Sequence, residues 1–580
     1  MPATVKKINN KNKVLKFTVM LVIQVVGLTS TTFSQLASEK LATGQKMAVV
    51  CASPYASVDA MYMLKHGGNA FDAAITAQLV LAVVYPQAGN IGGGGFMIAH
   101  QKNGNNICLD FREVAPMHAK KDMYVDASGK LQPQLSKEGH LSCGVPGTIA
   151  GIFELYKYAK LPFSTLIAPA IEYARDGFPI TERMANELNA TQAEFLRNNL
   201  KPTVFTYHSE WKVGDILIQP ALAKTLELIR DKGQKGFYRG KTAKLIVAEM
   251  KKGGGIITKR DLKKYKAIYR TPLTFDYKGH QLVTMPLPSS GGIILQQLFQ
   301  MTSYIGMDNL RFQEPKAIQL VVEAERRAFA DRSTYMGDPA FIKNNPMRLL
   351  DEKYLKKRMQ DFVFGKAGSS NVTGEGNPYE SEETTHISIV DEEDNAVSLT
   401  TTLNGNFGSK TVVSGAGFLL NNEMDDFSIQ AGVPNMYGVT GGDANSIAPR
   451  KKMLSSMTPT IVLKEGSPEI VVGTPGGSTI PTSVYQTLSA LIDFNKTPQE
   501  AVNAKKYHHQ WTPDKIFVEE GFPSSTTIDL QRMGYRLQQR NPIGRTELIV
   551  ISVNGKNEKK VVTAVADNRG DDDARTELSD

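Results

Sequence analysis

Positions Ala73 to Val84 are apolar almost without interruption, the pattern of a helix buried on every side. Before it, Ser57 to His66 has helical spacing and runs into Gly67-Gly68, a pair suited to a left-handed C-cap. Asn69 or Asp72 can cap the buried helix, and Pro86 ends it. Gly92 to Gly95 then lead into the apolar strand pattern Phe96-Met97-Ile98. No Gly-Lys-Ser/Thr follows these glycines, so they indicate close backbone packing rather than a phosphate loop. Residues 150 to 360 are helix-rich with proline and glycine punctuation, and no internal repeat is evident.

The sharpest change of pattern comes at Thr384. Gly365 to Glu383 is polar and glycine-rich, with almost nothing to bury, and reads as exposed linker. An alternating β-branched stretch begins directly after it. His386 to Val390 and Ala396 to Thr402 are two strand runs separated by the turn-rich loop Asp391 to Asn395, a hairpin signal. A hairpin symmetric about residue 393 sets Ile389 opposite Val397, Ile387 opposite Leu399 and Thr384 opposite Thr402. Opposed Cβ atoms lie ~4.5–5.5 Å apart, within reach of a hydroxyl–hydroxyl hydrogen bond, whereas a slip of one residue would break the pairing. Two readings of Thr384 stand side by side. It opens a strand because Thr favours strands, or it becomes a new N-terminus when the linker is cut, its own α-amine then activating its hydroxyl as a nucleophile.

Composition changes this picture little: 580 residues, 41% apolar and 22% charged, form an ordinary globular chain. The formal charge of +9 falls to +4 without the five lysines Lys6, Lys7, Lys11, Lys13 and Lys16, four ahead of the apolar run Val14 to Leu28 and one near its start. That run, its positive front and the small-residue exit Thr29 to Ser34 describe a secretory signal peptide over residues 1–34. It is too short to span a bilayer and is interrupted by Lys16 and Gln24, so no stable membrane span remains after its removal. The expected location is exported, periplasmic by default, with release from the cell as the other outcome. Charge gives no reason to expect a nucleic-acid partner. Cys51, Cys108 and Cys143 are an odd number, so at least one thiol is free, and a single disulfide among them stays open. No CxxC or HExxH spacing points to a metal.

A series of short motifs, each weak alone, follows in order. They are Gly67-Gly68-Asn69-Ala70, Gly92 to Phe96, Asp110-Phe111-Arg112-Glu113, Val145-Pro146-Gly147, and Pro288-Ser289-Ser290-Gly291-Gly292. Then come Asp331-Arg332, Thr384-Thr385-His386, Leu420-Asn421-Asn422 with Met424-Asp425-Asp426-Phe427, Leu454-Ser455-Ser456-Met457, Gly473 to Ser478, and Asp567-Asn568-Arg569. Together they make the chain resemble, from residue 46 onward, the γ-glutamyltransferase (γ-glutamyltranspeptidase) family of N-terminal-nucleophile hydrolases. The resemblance implies an α+β fold, a four-layer αββα sandwich, made as an inactive zymogen. It implies autocatalytic cleavage of the Glu383–Thr384 bond, giving a large subunit, 35–383, and a small catalytic subunit, 384–580, that remain together as a heterodimer. No cofactor is implied.

The same resemblance implies roles residue by residue. Thr384 is the nucleophile with Thr402 beside it, and Gly476 and Gly477 supply backbone donors for the oxyanion. Arg112, Ser455 and Ser456 hold the glutamyl carboxylate; Asn404, Glu423 and Asp426 hold its ammonium. Gln430 to Asn445 resembles a lid, with Tyr437 over the nucleophile. Without the resemblance, Arg112 could be a structural ion pair with Asp110 or Glu113, Asp425-Asp426 a helix cap, and the serine and glycine runs mere turns. His508-His509 is set aside as structural, because adjacent strand residues face opposite ways. The expected activity is hydrolysis or transfer of the γ-glutamyl group of glutathione and related compounds, to water or to an amino acid or dipeptide acceptor. Alternatives are a glutaryl or cephalosporin acylase of the same fold and a non-catalytic envelope binding protein.

Overall fold

The computed structural model describes residues 36–343, 345–370, 384–540, 542–553 and 559–579. The expected leader at 1–34 and the expected cleavage residue Glu383 lie outside the described residues.

The buried helix begins earlier than its apolar run. Asn69 Oδ1 accepts from the N–H groups of Phe71 and Asp72, and Asp72 accepts from Asn69 N–H. This capping box makes Asn69 the cap and Asp72 its third helical residue, so the helix is Ala70–Val84, with all fifteen residues buried. The preceding helix is Pro54–Lys65, and Gly67 behind it takes φ +90°.

The Thr384 hairpin forms in the register expected from its symmetry. Strand Thr384–Val390 pairs antiparallel with Ala396–Thr402, and Thr384 faces Thr402, Ile387 faces Leu399 and Ile389 faces Val397. Asp391 organises the loop, accepting from the N–H groups of Glu393 and Asn395 and from that of Ala70, which fixes the hairpin tip to the start of the buried helix.

The hairpin lies at the centre of a seven-stranded sheet. From edge to edge its strands are Asp573–Thr576, Ala48–Cys51, Thr384–Val390, Ala396–Thr402, Gly94–His100, Asn106–Asp110 and Ile268–Arg270. A second seven-stranded sheet runs Leu41–Gly44, Lys560–Val565, Glu547–Val553, Ser467–Gly473, Thr460–Lys464, His280–Thr284 and Leu273–Tyr277. On the first sheet Ile387, Ile389, Val397 and Leu399 pack with Phe71, Ile75 and Leu79 of the buried helix. The alternate residues face the second sheet, where Ser388 Oγ donates to the Glu547 carbonyl and Ser398 Oγ to that of Val472, each at 3.0 Å. Helices Gly291–Ile305, Pro315–Tyr335 and Ile480–Ile492 cover the second sheet's outer face. The layers are helix, sheet, sheet, helix, the expected α+β sandwich.

The glycines before Phe96 are packing positions. A Cβ on Gly93 would sit 2.0 Å from the Thr402 carbonyl oxygen, and one on Gly95 2.3 Å from that of Thr400. Gly365 to Ser370 is largely exposed, as expected, but tied down, since the N–H groups of Gly365, Gly368 and Ser370 donate to Gln319, Glu323 and Asp514. The question left open for the cysteines is answered by three buried free thiols. Among the described residues, no helix is long and apolar enough to cross a membrane.

Candidate active site

The register of the hairpin sets Thr384 Oγ 3.3 Å from Thr402 Oγ, to which it donates. Thr402 Oγ also accepts from Asn404 N–H at 2.8 Å. Thr384 is 3% exposed and lines a pocket with Arg112, Thr402, Asn404, Asp426, Tyr437, Ser455, Ser456 and Gly477. Eight of the expected site residues therefore converge on Thr384 from segments distant in sequence. Arg332 and Asn435, to which the sequence assigned no role, line the same space.

Arg112 is buried at the pocket floor. Its Nη1 lies 2.5 Å from Glu423 and its Nη2 2.5 Å from Asp426, while Glu113 stands at 3.7 Å. Asp110 has other partners, Arg270 at 2.6 Å and Lys452 at 2.7 Å, so it makes no side-chain ion pair with Arg112. Burial pulls the Arg112 guanidinium down, but Glu423, Asp426 and Glu113 outweigh it and hold Arg112 above its ordinary range. The acids respond in the opposite sense. Burial raises Glu423 and Asp426 against the pull of Arg112, and raises Glu113 to about 7. Arg332, lowered to about 10 by burial and opposed by Asp426, is the second cation of this cluster. Two guanidiniums thus face three carboxylates. The 2.5 Å contacts favour ionised Glu423 and Asp426, which leaves the more distant Glu113 to hold a proton.

Ser455 is cradled by the Pro288-Ser289-Ser290 turn, donating N–H to the Pro288 carbonyl and accepting from the N–H and Oγ of Ser290 at its own carbonyl. Ser290 Oγ also receives Arg332 Nε at 3.1 Å. Glu423 to Asp426 form a single 3₁₀ turn, so Asp425-Asp426 caps no α-helix. Gly476 and Gly477 take φ +131° and +55°, the left-handed region that glycine enters freely, as the chain turns between strand Ser467–Gly473 and helix Ile480–Ile492.

The loop 430–445 closes the top. Tyr437 Oη donates to the Asn404 carbonyl at 2.6 Å, and its ring lies against Gly477, where an added Cβ would come within 2.6 Å. Asn435 donates to Asp426, and Met436 N–H to Asp425. The space left in this pocket is about 20 Å³, room for roughly one water molecule. His508 and His509 are both buried, do not line the Thr384 pocket, and have different partners, Thr482 and Gln510 for the first and Asp514 for the second.

The Gamma-glutamyltranspeptidase family profile matches residues 56–576. The chain belongs to the γ-glutamyltranspeptidase family. The glutathione hydrolase proenzyme of Escherichia coli K12 is 44% identical over 512 residues, 86% of this chain and 88% of that protein. That of Pseudomonas aeruginosa is 45% identical over 515 residues, 88% of this chain and 91% of its own length. Among solved structures, a cephalosporin acylase from Bacillus halodurans superposes with a TM-score of 0.81 at 25% identity, covering 96% of this chain and all of its own. A Helicobacter pylori γ-glutamyltranspeptidase chain gives 0.51 at 40% identity, covering 56% of this chain and 96% of its own.

Within the family frame, sequence reasoning passed over Arg332 and Asn435. Arg332 stands in the Asp331-Arg332 motif, whose charge was the available signal; the contact of Asn435 with Asp426 had none. Glu113 was expected only as an ion-pair partner of Arg112, and it stands 3.7 Å away.

Proposed function

We propose that this protein is a self-processing γ-glutamyl hydrolase/transferase acting on glutathione and related γ-glutamyl compounds. The observation that carries the reading is the placement of Thr384 Oγ, paired with Thr402, in one pocket with a buried Arg112 held between Glu423 and Asp426. A glutamyl head group bears a carboxylate and an ammonium on one carbon. Arg112 with Ser455 and Ser456 receives the carboxylate, its planar fork giving two charge-assisted bonds. Asp426, Glu423 and Asn404 receive the ammonium. The zwitterion thereby exchanges with an ion pair the protein already makes within itself, so neither charge is left buried and alone.

In processing, Thr384 Oγ attacks the Glu383 carbonyl, the acyl group shifts from nitrogen to oxygen and so frees the α-amine of Thr384, and water then hydrolyses the ester, releasing the Glu383 carboxylate and restoring the Thr384 hydroxyl. In turnover that amine takes the hydroxyl proton as Oγ attacks the γ-glutamyl carbonyl. The developing oxyanion is held by the N–H groups of Gly476 and Gly477, and collapse expels the amine of the leaving group. Water or an acceptor amine of an amino acid or dipeptide then releases the glutamyl group. With only about 20 Å³ free beside Thr384, the pocket is too small for a glutamyl group, and the Tyr437 loop over it is the segment that moves to admit substrate, as a lid does. The word proenzyme in the names of the E. coli and P. aeruginosa relatives supports the processing step, as does the H. pylori chain, which spans only 56% of this one. The leader-like front supports export to the periplasm.

The likeness to a cephalosporin acylase favours one second reading, a glutaryl acylase. Glutaryl groups lack the ammonium, and the buried Glu423 and part-buried Asp426 would then face no substrate cation. Rates on γ-glutamyl and glutaryl anilides decide between them: at least a hundredfold preference for γ-glutamyl is expected, and equal rates would refute the proposal. N-terminal sequencing of the smaller fragment tests the cut, with Thr-Thr-His expected.

A further inference from the structure

Gln510 lies in the His508-His509-Gln510-Trp511 run, to which the reading above gives no task. It is 2% exposed, and its amide is bonded in two directions. Nε2 donates to the Tyr437 carbonyl at 3.0 Å and, more weakly, to that of Thr512 at 3.4 Å. Oε1 accepts from Ser478 Oγ at 2.7 Å and faces His508 Nε2 at 2.9 Å. Two carbonyls on one side establish which end of the amide is nitrogen. The oxygen end then requires the proton on His508 Nε2; His508 Nδ1 lies 2.9 Å from Thr482 Oγ, a hydroxyl that also reaches the Thr479 carbonyl at 2.9 Å. Burial holds that imidazole neutral, its pKa down at about 3. Every polar atom of the Gln510 side chain is thus used, and the conformation is singular.

The partners are the informative part. Tyr437 belongs to the loop over the nucleophile, and Ser478 follows Gly477 in the turn that presents the oxyanion donors. We propose that Gln510 is a positioning residue that latches the closed lid to the Gly476–Ser478 turn. By doing so it sets how the acyl-enzyme divides between water and an amine acceptor. The partition half of this proposal rests on Thr384 being the nucleophile; the latch half does not. A latched lid keeps water from the ester while an acceptor bound beneath it reacts. A freed lid admits water and loosens the turn together.

Gln510→Glu keeps the shape of the side chain and the acceptor for Ser478, but sets an oxygen against the Tyr437 and Thr512 carbonyls. Gln510→Met fills the space with no polar group. In both, deuterium uptake by residues 430–445 should quicken at least tenfold while the central hairpin stays protected. The transfer-to-hydrolysis ratio, with a γ-glutamyl anilide donor and a dipeptide acceptor, should fall at least threefold. In a Tyr437→Ala background, Gln510→Glu should shift the ratio no further, which a merely structural role would not produce. Should neither variant fold, Ser478→Ala, lacking only the hydroxyl Gln510 holds, carries the same expectation at smaller amplitude. Unchanged uptake in folded variants, or an unchanged ratio in an enzyme that transfers, overturns the proposal. If the wild-type protein transfers no γ-glutamyl group, that refutes the functional reading, and the uptake arm still decides the latch.

Discussion

Arg112 meets three carboxylates, and the two closest are those proposed for the substrate ammonium. Its fork geometry matters as much as its charge. Arg112→Lys retains the cation but cannot bond a carboxylate twice, and a charged hydrogen bond is worth about 1.5–3 kcal/mol. KM for a γ-glutamyl donor should therefore rise on the order of 10–100-fold, with processing retained; an unchanged KM would remove Arg112 from the substrate site. Glu113 gives a pH dependence with a definite sign. Raised to about 7 by burial, it is protonated below that pH and adds a negative charge 3.7 Å from Arg112 above it. Arg112 and Lys452 favour that ionisation, while burial, Asp426 and Glu423 favour the proton. Donor KM should accordingly climb as pH passes upward through 7, and Glu113→Gln should flatten the climb. The stability sign agrees. Between the ordinary value of 4.5 and about 7 the folded protein holds a proton the unfolded chain has released. Glu113 therefore stabilises most below 4.5, and its contribution is lost as pH rises through 7. Denaturation midpoints of wild type and Glu113→Gln across that window measure it.

At the scale of elements, what could be read in advance was what local pattern controls. The hairpin register followed from alternation and a short symmetric loop, and it placed Thr384 against Thr402. The glycine run was legible as packing because nothing in its context suited a phosphate. The start of the buried helix was not, since Asn69 and Asp72 are equally good caps in sequence and only the reciprocal bonds of the capping box choose between them. Gly365 to Ser370 was legible as exposed, but not as anchored, because its contacts are made by backbone N–H groups, which composition does not reveal. Gln510 was invisible for another reason: its bonds reach a loop 73 residues away and a turn 32 residues away. The Gly476-Gly477 turn permits a direct test. Gly477→Ala must accept φ +55° and a Cβ 2.6 Å from the Tyr437 ring, so both the donor and the lid shift. Loss of one oxyanion donor costs ~10²–10³ in rate, so kcat should fall by at least that order. A drop confined to KM would mean that Gly477 holds no developing charge.

Across the whole molecule, the two sheets are woven from both sides of the proposed cut. Ala48–Cys51 lies between Asp573–Thr576 and Thr384–Val390, so a strand of the larger piece is flanked on both edges by strands of the smaller. Ala396–Thr402 pairs with Gly94–His100, Leu41–Gly44 with Lys560–Val565, and Thr460–Lys464 with His280–Thr284. Cleaving one peptide bond removes none of these ladders. The fragments share two hydrophobic cores that are not divisible at residue 383, so they cannot part without exposing both. Mature protein should therefore run as two bands on a denaturing gel and as one species containing both on native size exclusion. In rising urea, separation of the fragments should coincide with loss of secondary structure in a single transition. Thr384→Ala should give one band and the same fold. Fragments that separate while their circular dichroism stays native would mean that the interleaved strands do not hold the pieces together.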